Sequence, residues 1–290
     1  MQKLTVGIAG LGLIGGSLAK ALKKNTPHTV LGIDTDARTM QSALSGGAVD
    51  GQADAPALSR CDIVFVCLHP GGTVKFIKDN APHFAGGALI CDVCGVKRAV
   101  QAEVEPYVRG SGAWYVGTHP MAGRERFGYE ASDALLFEGA SVIVCPPQDL
   151  PPELLQRLLS VLGGAGFAGS VQTDADEHDS IIAYTSQLAH AVSSAYIKSP
   201  AAEKQRGFSA GSYADMTRVA RLDENMWTEL FMLNRQNLIA EIDIFAANLS
   251  DIRSALEQGD ENQLRQLLKK GREIKERSLR GEDIKPKDLE

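Results

Sequence analysis

The first seventeen residues restrict the fold more than any other stretch. An apolar, β-prone run, Leu4–Ala9, leads directly into Gly10-Leu-Gly12-Leu-Ile-Gly15-Gly-Ser17, and a helix-compatible segment follows from about Leu13 to Lys24. Strand, glycine turn and helix in this order form a dinucleotide-binding arrangement in which each glycine has its own task. Gly10 is expected to make the tight turn, Gly12 to let a pyrophosphate approach the backbone, and Gly15 to let helix and strand pack closely. The phosphates would sit at the helix N-terminus, where free N–H groups and the macrodipole favour negative charge. Gly10, Gly12, Leu13, Ile14 and Gly15 are therefore candidate cofactor-binding residues.

With 29 glycines in the chain, a lone glycine pattern says little, but its context supports it. A second strand-like run, Thr29–Ile33, ends in Asp34, 24 residues after Gly10. A carboxylate there can accept hydrogen bonds from ribose hydroxyls and repels a 2′-phosphate, so the expected cofactor is NAD rather than NADP.

Further strand-like runs follow at Asp62–Leu68, Ala88–Asp92, Trp114–Gly117 and Ser141–Cys145, most of them separated by helix-compatible segments. They are apolar at nearly every position, as strands covered on both faces are. The expected fold is α/β, a Rossmann-type doubly wound, mostly parallel sheet, followed by an all-α C-terminal domain. A last short strand near Phe167–Gln172 closes a predicted NAD-binding domain over residues 1–172. Residues 173–290 form the predicted helical, substrate-binding and dimerisation domain, with helical spacing over Ile181–Ile197, Trp227–Leu249 and Asn262–Ser278. Ala201–Ala214 reads as a loop, and the charged tail Arg280–Glu290 is expected to be mobile. Long amphipathic helices with excess apolar surface predict a homodimer.

The formal net charge of −6 without a basic run argues against nucleic acid and anionic membranes as partners. No apolar stretch is long enough to span a bilayer, and the chain enters a strand almost at once, which predicts no signal peptide and a cytoplasmic setting. The five cysteines include the pair Cys91 and Cys94, with the spacing of a redox pair or half of a metal site. The count is odd and no second such pair exists, so buried thiols and no metal are expected.

Ligands on doubly wound sheets bind beyond the carboxyl ends of the strands. That rule selects Leu68-His69-Pro70, Asp92-Val-Cys94-Gly95 and Thr118-His119-Pro120, with Leu68 and Pro70 joining the cofactor candidates. His119 could take a proton from a substrate hydroxyl as hydride leaves the same carbon, or simply bond a loop carbonyl. His190 lies inside a helix, His178 at a helix start where it could serve as a cap, and Arg218 could fork onto a carboxylate or pair with Asp215.

Gly10–Ser17, Asp92–Lys97, Gly117–Gly123, His178–His190 and Asp215–Trp227 occur in the order and spacing of the prephenate dehydrogenase family, which includes the arogenate dehydrogenases. The resemblance covers nearly the whole chain and is to the single-function form. It implies NAD-dependent oxidative decarboxylation of prephenate to 4-hydroxyphenylpyruvate in tyrosine synthesis, with arogenate as the alternative substrate. It also implies that His119 bonds the substrate C4 hydroxyl and assists proton removal, and that Arg218 holds a carboxylate. His190 is implied as a second histidine of the pocket, with Trp227 near it. The family often has serine where this chain has Gly95, so that hydroxyl is missing, and a water, a backbone N–H or the Cys94 thiol could replace it. A β-hydroxyacid dehydrogenase and a non-catalytic NAD sensor are the more distant readings.

Overall fold

Residue alternation on the strands decides how the sheet is covered. The computed structural model describes residues 2–124 and 126–281. Its strands are β1 Thr5–Ala9, β2 Thr29–Ile33, β3 Gly51–Gln52, β4 Ile63–Val66, β5 Leu89–Asp92, β6 Trp114–Pro120, β7 Ser141–Cys145 and β8 Gly169–Gln172. They form one sheet in the order β3-β2-β1-β4-β5-β6-β7-β8. Every neighbouring pair is parallel except β6 and β7. On β4, Ile63 and Phe65 join a core on one face, and Val64 and Val66 join a second core on the other. Helices α1 Leu13–Asn25 and α5 Pro152–Gly164 cover the first face; α3 Pro70–Asn80 and α4 Arg98–Gly110 cover the second. Cys91 belongs to the first core and Cys94 to the second, so the sheet separates them and the CxxC spacing builds neither a redox pair nor a ligand set.

The chain divides into two compact units with the boundary after Arg235. The first holds the sheet, helix α2 Ala37–Ser45, and α6 Ala175–Ile182, α7 Ala189–Tyr196, α8 Gly211–Thr217 and α9 Glu224–Leu233. The helix expected to start at Asp174–Glu177 and run on through 181–197 starts at Ala175 with Asp174 as its N-cap, but it is not continuous α-helix: a π-helical stretch, Ala183–Leu188, lies between α6 and α7. The expected loop at 201–214 instead carries a 3-10 turn, Pro200–Lys204, and the start of α8. The single helix expected over Trp227–Leu249 is broken: α9 ends at Leu233, and α10 runs Arg235–Gln258. Asn234 stands at the break, with φ −116° and ψ 23°, and its buried side-chain amide donates to the Asp179 carbonyl at 2.8 Å and to Gln187 Oε1 at 2.9 Å. In the second unit, α10 exposes Ile239, Ile242, Ile244, Phe245, Leu249 and Leu256, and α11 spans Glu261–Leu279. Residues 282–290, most of the tail expected to be mobile, lie outside the described residues. Among the described residues no helix is long and apolar enough to cross a membrane.

The glycine turn sits where strand order reverses, between β1 and β4. Gly10 has φ +84°, and a Cβ there would lie 2.6 Å from the Cys67 carbonyl oxygen. A Cβ on Gly15 would lie 1.9 Å from the Gly10 carbonyl oxygen, whereas one on Gly12 meets nothing within 4 Å. Gly15→Ala should therefore cost about 3 kcal/mol in urea unfolding, the upper end of the usual overpacking range, because backbone, not a movable side chain, blocks the added methyl. Gly12→Ala should cost no more than about 1 kcal/mol.

Candidate active site

The crevice at the switch point has the parts a dinucleotide needs. Gly12 is the N-cap of α1, no side chain caps it, the first turn carries no acid, and a Cβ on Gly12 would meet nothing within 4 Å, an arrangement suited to an anion at the helix N-terminus. Leu13 and Ile14 open that helix. Leu68 follows β4 and packs against Gly10, and Pro70 is the first residue of α3. Asp34 directly follows β2 in a half-buried position; its Oδ2 accepts from Leu11 N at 2.8 Å and its Oδ1 from Asp36 N at 2.9 Å. The carboxylate thus braces the glycine turn while each oxygen keeps a lone pair for a further donor.

At the carboxyl end of β5, Asp92 is fully buried and surrounded by donors. Oδ1 accepts from Tyr115 OH at 2.7 Å, and Oδ2 accepts from Cys94 N at 2.9 Å and from the buried Lys97 ammonium. Lys97 Nζ also donates to the Thr118 carbonyl at 2.7 Å, and Thr118 Oγ1 donates back to the Asp92 carbonyl. This knot joins the ends of β5 and β6 to the turn leading into α4. A Cβ on Gly117 would lie 2.9 Å from Lys97 Cδ, so the glycine makes room for the lysine stem. The Cys94 thiol is pushed well up by burial and then by the Asp92 charge, and it donates to the Leu68 carbonyl at 3.7 Å. It faces the β4–α3 corner, not His119, so it does not replace the missing hydroxyl.

His119 lies within β6 rather than beyond it, because the antiparallel pairing with β7 extends the strand to Pro120 (His119 opposite Ile143). Its Nδ1 is 2.9 Å from His178 Nε2, and His178 Nδ1 is 2.8 Å from Asp179 Oδ1. Asp179 in turn accepts from Lys97 N at 2.8 Å and Arg98 N at 3.1 Å, at the N-terminus of α4. His178 does not cap α6, as a helix-start histidine could; Asp174 does, accepting from Glu177 N. Burial, then the Lys97 charge, then His178 hold the His119 imidazole well below its ordinary value. A Cβ on Gly95 would lie 3.9 Å from His119 Nε2 and 3.6 Å from Leu230 Cδ2, so the absent side chain leaves its space beside that nitrogen.

A second group lies on the helices. His190 stacks on Trp227 with ring centroids 3.7 Å apart, and its Nδ1 donates to the Ser186 carbonyl at 2.9 Å. Burial lowers its pKa, the Ser186 hydrogen bond opposes this, and the Arg218 charge adds to the lowering. Arg218 follows α8 in a short 3-10 turn and is exposed. Among the described residues no hydrogen bond joins His190 to His119. Helix α9 reaches both groups, with Trp227 on His190 and Leu230 at Gly95. Sequence reasoning had no role for Asp179, Gln187 or Asn234. Their signal was weak: polar residues inside otherwise apolar helical stretches.

Sheet order, glycine turn and strand-end carboxylate define a Rossmann-type nucleotide-binding protein. Residues 18–168 match the family model described as "Prephenate dehydrogenase, nucleotide-binding domain", and residues 174–270 match "Prephenate dehydrogenase, dimerization domain". The chain belongs to the prephenate dehydrogenase family, and it is a dehydrogenase. The prephenate dehydrogenase of Bacillus subtilis (strain 168) is 29% identical over 284 residues, covering 95% of this chain and 76% of that one. The cyclohexadienyl dehydrogenase of Zymomonas mobilis is 28% identical over 291 residues, covering 97% and 98%. Among solved structures, A. aeolicus prephenate dehydrogenase in complex with hydroxyphenyl propionate and NAD+ superposes with TM-score 0.82 at 25% identity, covering 96% and 99%.

Removing one partner of a buried ion pair strands the other charge. Lys97→Met should therefore cost about 3–5 kcal/mol in urea unfolding. Adding Asp92→Asn should recover part of that loss, since the amide oxygen can still accept from Tyr115 or Cys94 N.

Proposed function

We propose that this protein catalyses the NAD-dependent oxidative decarboxylation of prephenate to 4-hydroxyphenylpyruvate, a step of tyrosine synthesis. The observation that carries the reading is His119, an imidazole held in its neutral form with Nε2 beside the space at Gly95, on a strand end of the nucleotide-binding sheet. Gly10, Gly12, Leu13, Ile14, Gly15, Leu68 and Pro70 border the cofactor crevice, and Asp34 supports NAD over NADP because its charge opposes a 2′-phosphate. When bound, the nicotinamide supplies the hydride acceptor for C4 of the substrate. His119 Nε2 takes the proton of the C4 hydroxyl, the C–O bond becomes a carbonyl, and loss of CO2 restores an aromatic ring. Arg218 holds a substrate carboxylate, and His190, seated on Trp227, presents Nε2 to the same pocket. Gly95 leaves the C4 hydroxyl in direct reach of the base. A boundary between a sheet domain and a helical domain at 172/173 is part of this proposal, and the end of β8 at Gln172 supports it. The odd number of thiols supports a cytoplasmic setting. The apolar residues exposed on α10, within the segment matched by the dimerization model, support a homodimer.

Purified protein offered NAD or NADP, with prephenate or arogenate, should form reduced nicotinamide with NAD and prephenate. A preference for arogenate would replace the substrate, and no turnover with either would overturn the reading. His119→Asn should lower kcat by on the order of 10²–10⁴-fold with NAD affinity little changed. Arg218→Gln should raise KM more than it lowers kcat. Because the low-lying imidazole is deprotonated at neutral pH, the acid limb of kcat/KM should fall below about 6.5; a limb above it would point to another base. Light scattering should give twice the chain mass, and Phe245→Lys should lower it.

A further inference from the structure

We infer that His178 and Asp179 are positioning residues that select the tautomer of His119, presenting the lone pair of its Nε2 to the reacting hydroxyl. This rests on the reading of His119 as the base. The inference follows from donor and acceptor capacity along one chain of contacts. Asp179 is anchored first: its two oxygens take the backbone N–H groups of Lys97 and Arg98, at the positive end of α4. A carboxylate oxygen only accepts, so His178 Nδ1, 2.8 Å from Asp179 Oδ1, carries the hydrogen. A neutral His178 then has its lone pair on Nε2. That nitrogen lies 2.9 Å from His119 Nδ1, which must be the donor. One nitrogen remains on His119, Nε2, and it is the acceptor.

The other histidine tautomer would place an N–H at Nε2 and could not take a proton there. The dyad acts before the chemistry, and it also acts during it. When Nε2 receives the hydroxyl proton, Nδ1–H still donates to His178, and the new positive charge is met through that ring by the Asp179 carboxylate. No proton leaves His119 in this step; one O–H bond breaks and one N–H bond forms.

The anchoring of the dyad is itself buried. His178 and Asp179 are each about 1% exposed, and Asn234 holds the Asp179 carbonyl from the end of α9. The π-helical stretch that follows α6 turns Gln187 toward Asn234 and the Leu230 carbonyl, closing the cage around the dyad.

The first measurement is a nitrogen–proton correlation spectrum of the histidine rings in the unmodified, substrate-free protein at neutral pH, with His119 assigned by its loss in His119→Asn. The expected signature is a hydrogen on Nδ1 and a bare Nε2. A hydrogen on Nε2, as a doubly protonated His178 would produce, overturns the inference. The second is kinetic. His178→Phe removes the acceptor and should lower kcat by on the order of 10²–10⁴-fold with KM little changed. His178→Gln, whose amide oxygen can accept from His119 Nδ1, should restore part of the loss. Folded His178→Phe protein with unaltered kcat, or no rescue by His178→Gln, overturns the positioning role. Full activity in His119→Asn would instead overturn the base itself, whatever tautomer the spectrum reports.

Discussion

The fully buried carboxylate of Asp92 sets the terms for everything around it. Removed from water, it has to be met by donors, and it recruits them from three directions: Tyr115 in β6, the backbone at Cys94, and the ammonium of Lys97. Lys97 is buried for the same reason and finds its second acceptor in the Thr118 carbonyl, one residue before His119. The ion pair is less a source of net stability than a constraint on geometry, since desolvating two charges offsets much of their attraction. Its consequence is that the end of β5, the following turn and the end of β6 cannot move independently. The charge of the cation also disfavours a proton on His119.

Asp179 repeats the device from the helical side. It satisfies the N-terminal N–H groups of α4, where the helix dipole favours an anion, and from there reaches His178. Sheet and helices within the first unit are thereby joined by polar contacts of short range rather than by apolar packing alone. Asn234, the C-cap of α9, adds a further polar tie, its side-chain amide donating to the Asp179 carbonyl and to Gln187.

Much of this was legible in the residues. The glycine turn announced its own stereochemistry: one positive φ at Gly10, one forbidden Cβ at Gly15 and one open position at Gly12. Apolar runs at strand spacing revealed the parallel sheet, and the strand-end rule pointed to Leu68, Gly95 and His119. The errors have physical causes. β6 runs past Gly117 because β7 pairs with it antiparallel, a long-range pairing that no local propensity encodes. A position at a helix start left a capping role open to His178, but Asp174 four positions earlier takes that task. The buried thiols expected at Cys91 and Cys94 are buried, each in its own core, because a strand sends alternate residues to opposite faces and the turn carries Cys94 into the second core.

The sequence by itself determined the nucleotide-binding half, its glycine turn and strand-end acid, the helical character of the rest, and the family. The first three are properties of local stereochemistry and periodicity, which neighbouring residues suffice to specify; the family came from the resemblance of motifs spread along the chain. Only the tertiary structure decided that His119, His178 and Asp179 form one chain of contacts, that Lys97 bonds the carbonyl next to His119, and that Gly95 leaves its space beside the base. Hydrogen-bond partners of 59 and 82 residues' separation are brought together by the closing of the sheet and the return of α6 onto α4. That approach is set by which buried polar groups must be satisfied, and only the folded chain shows where each of them finds its partner.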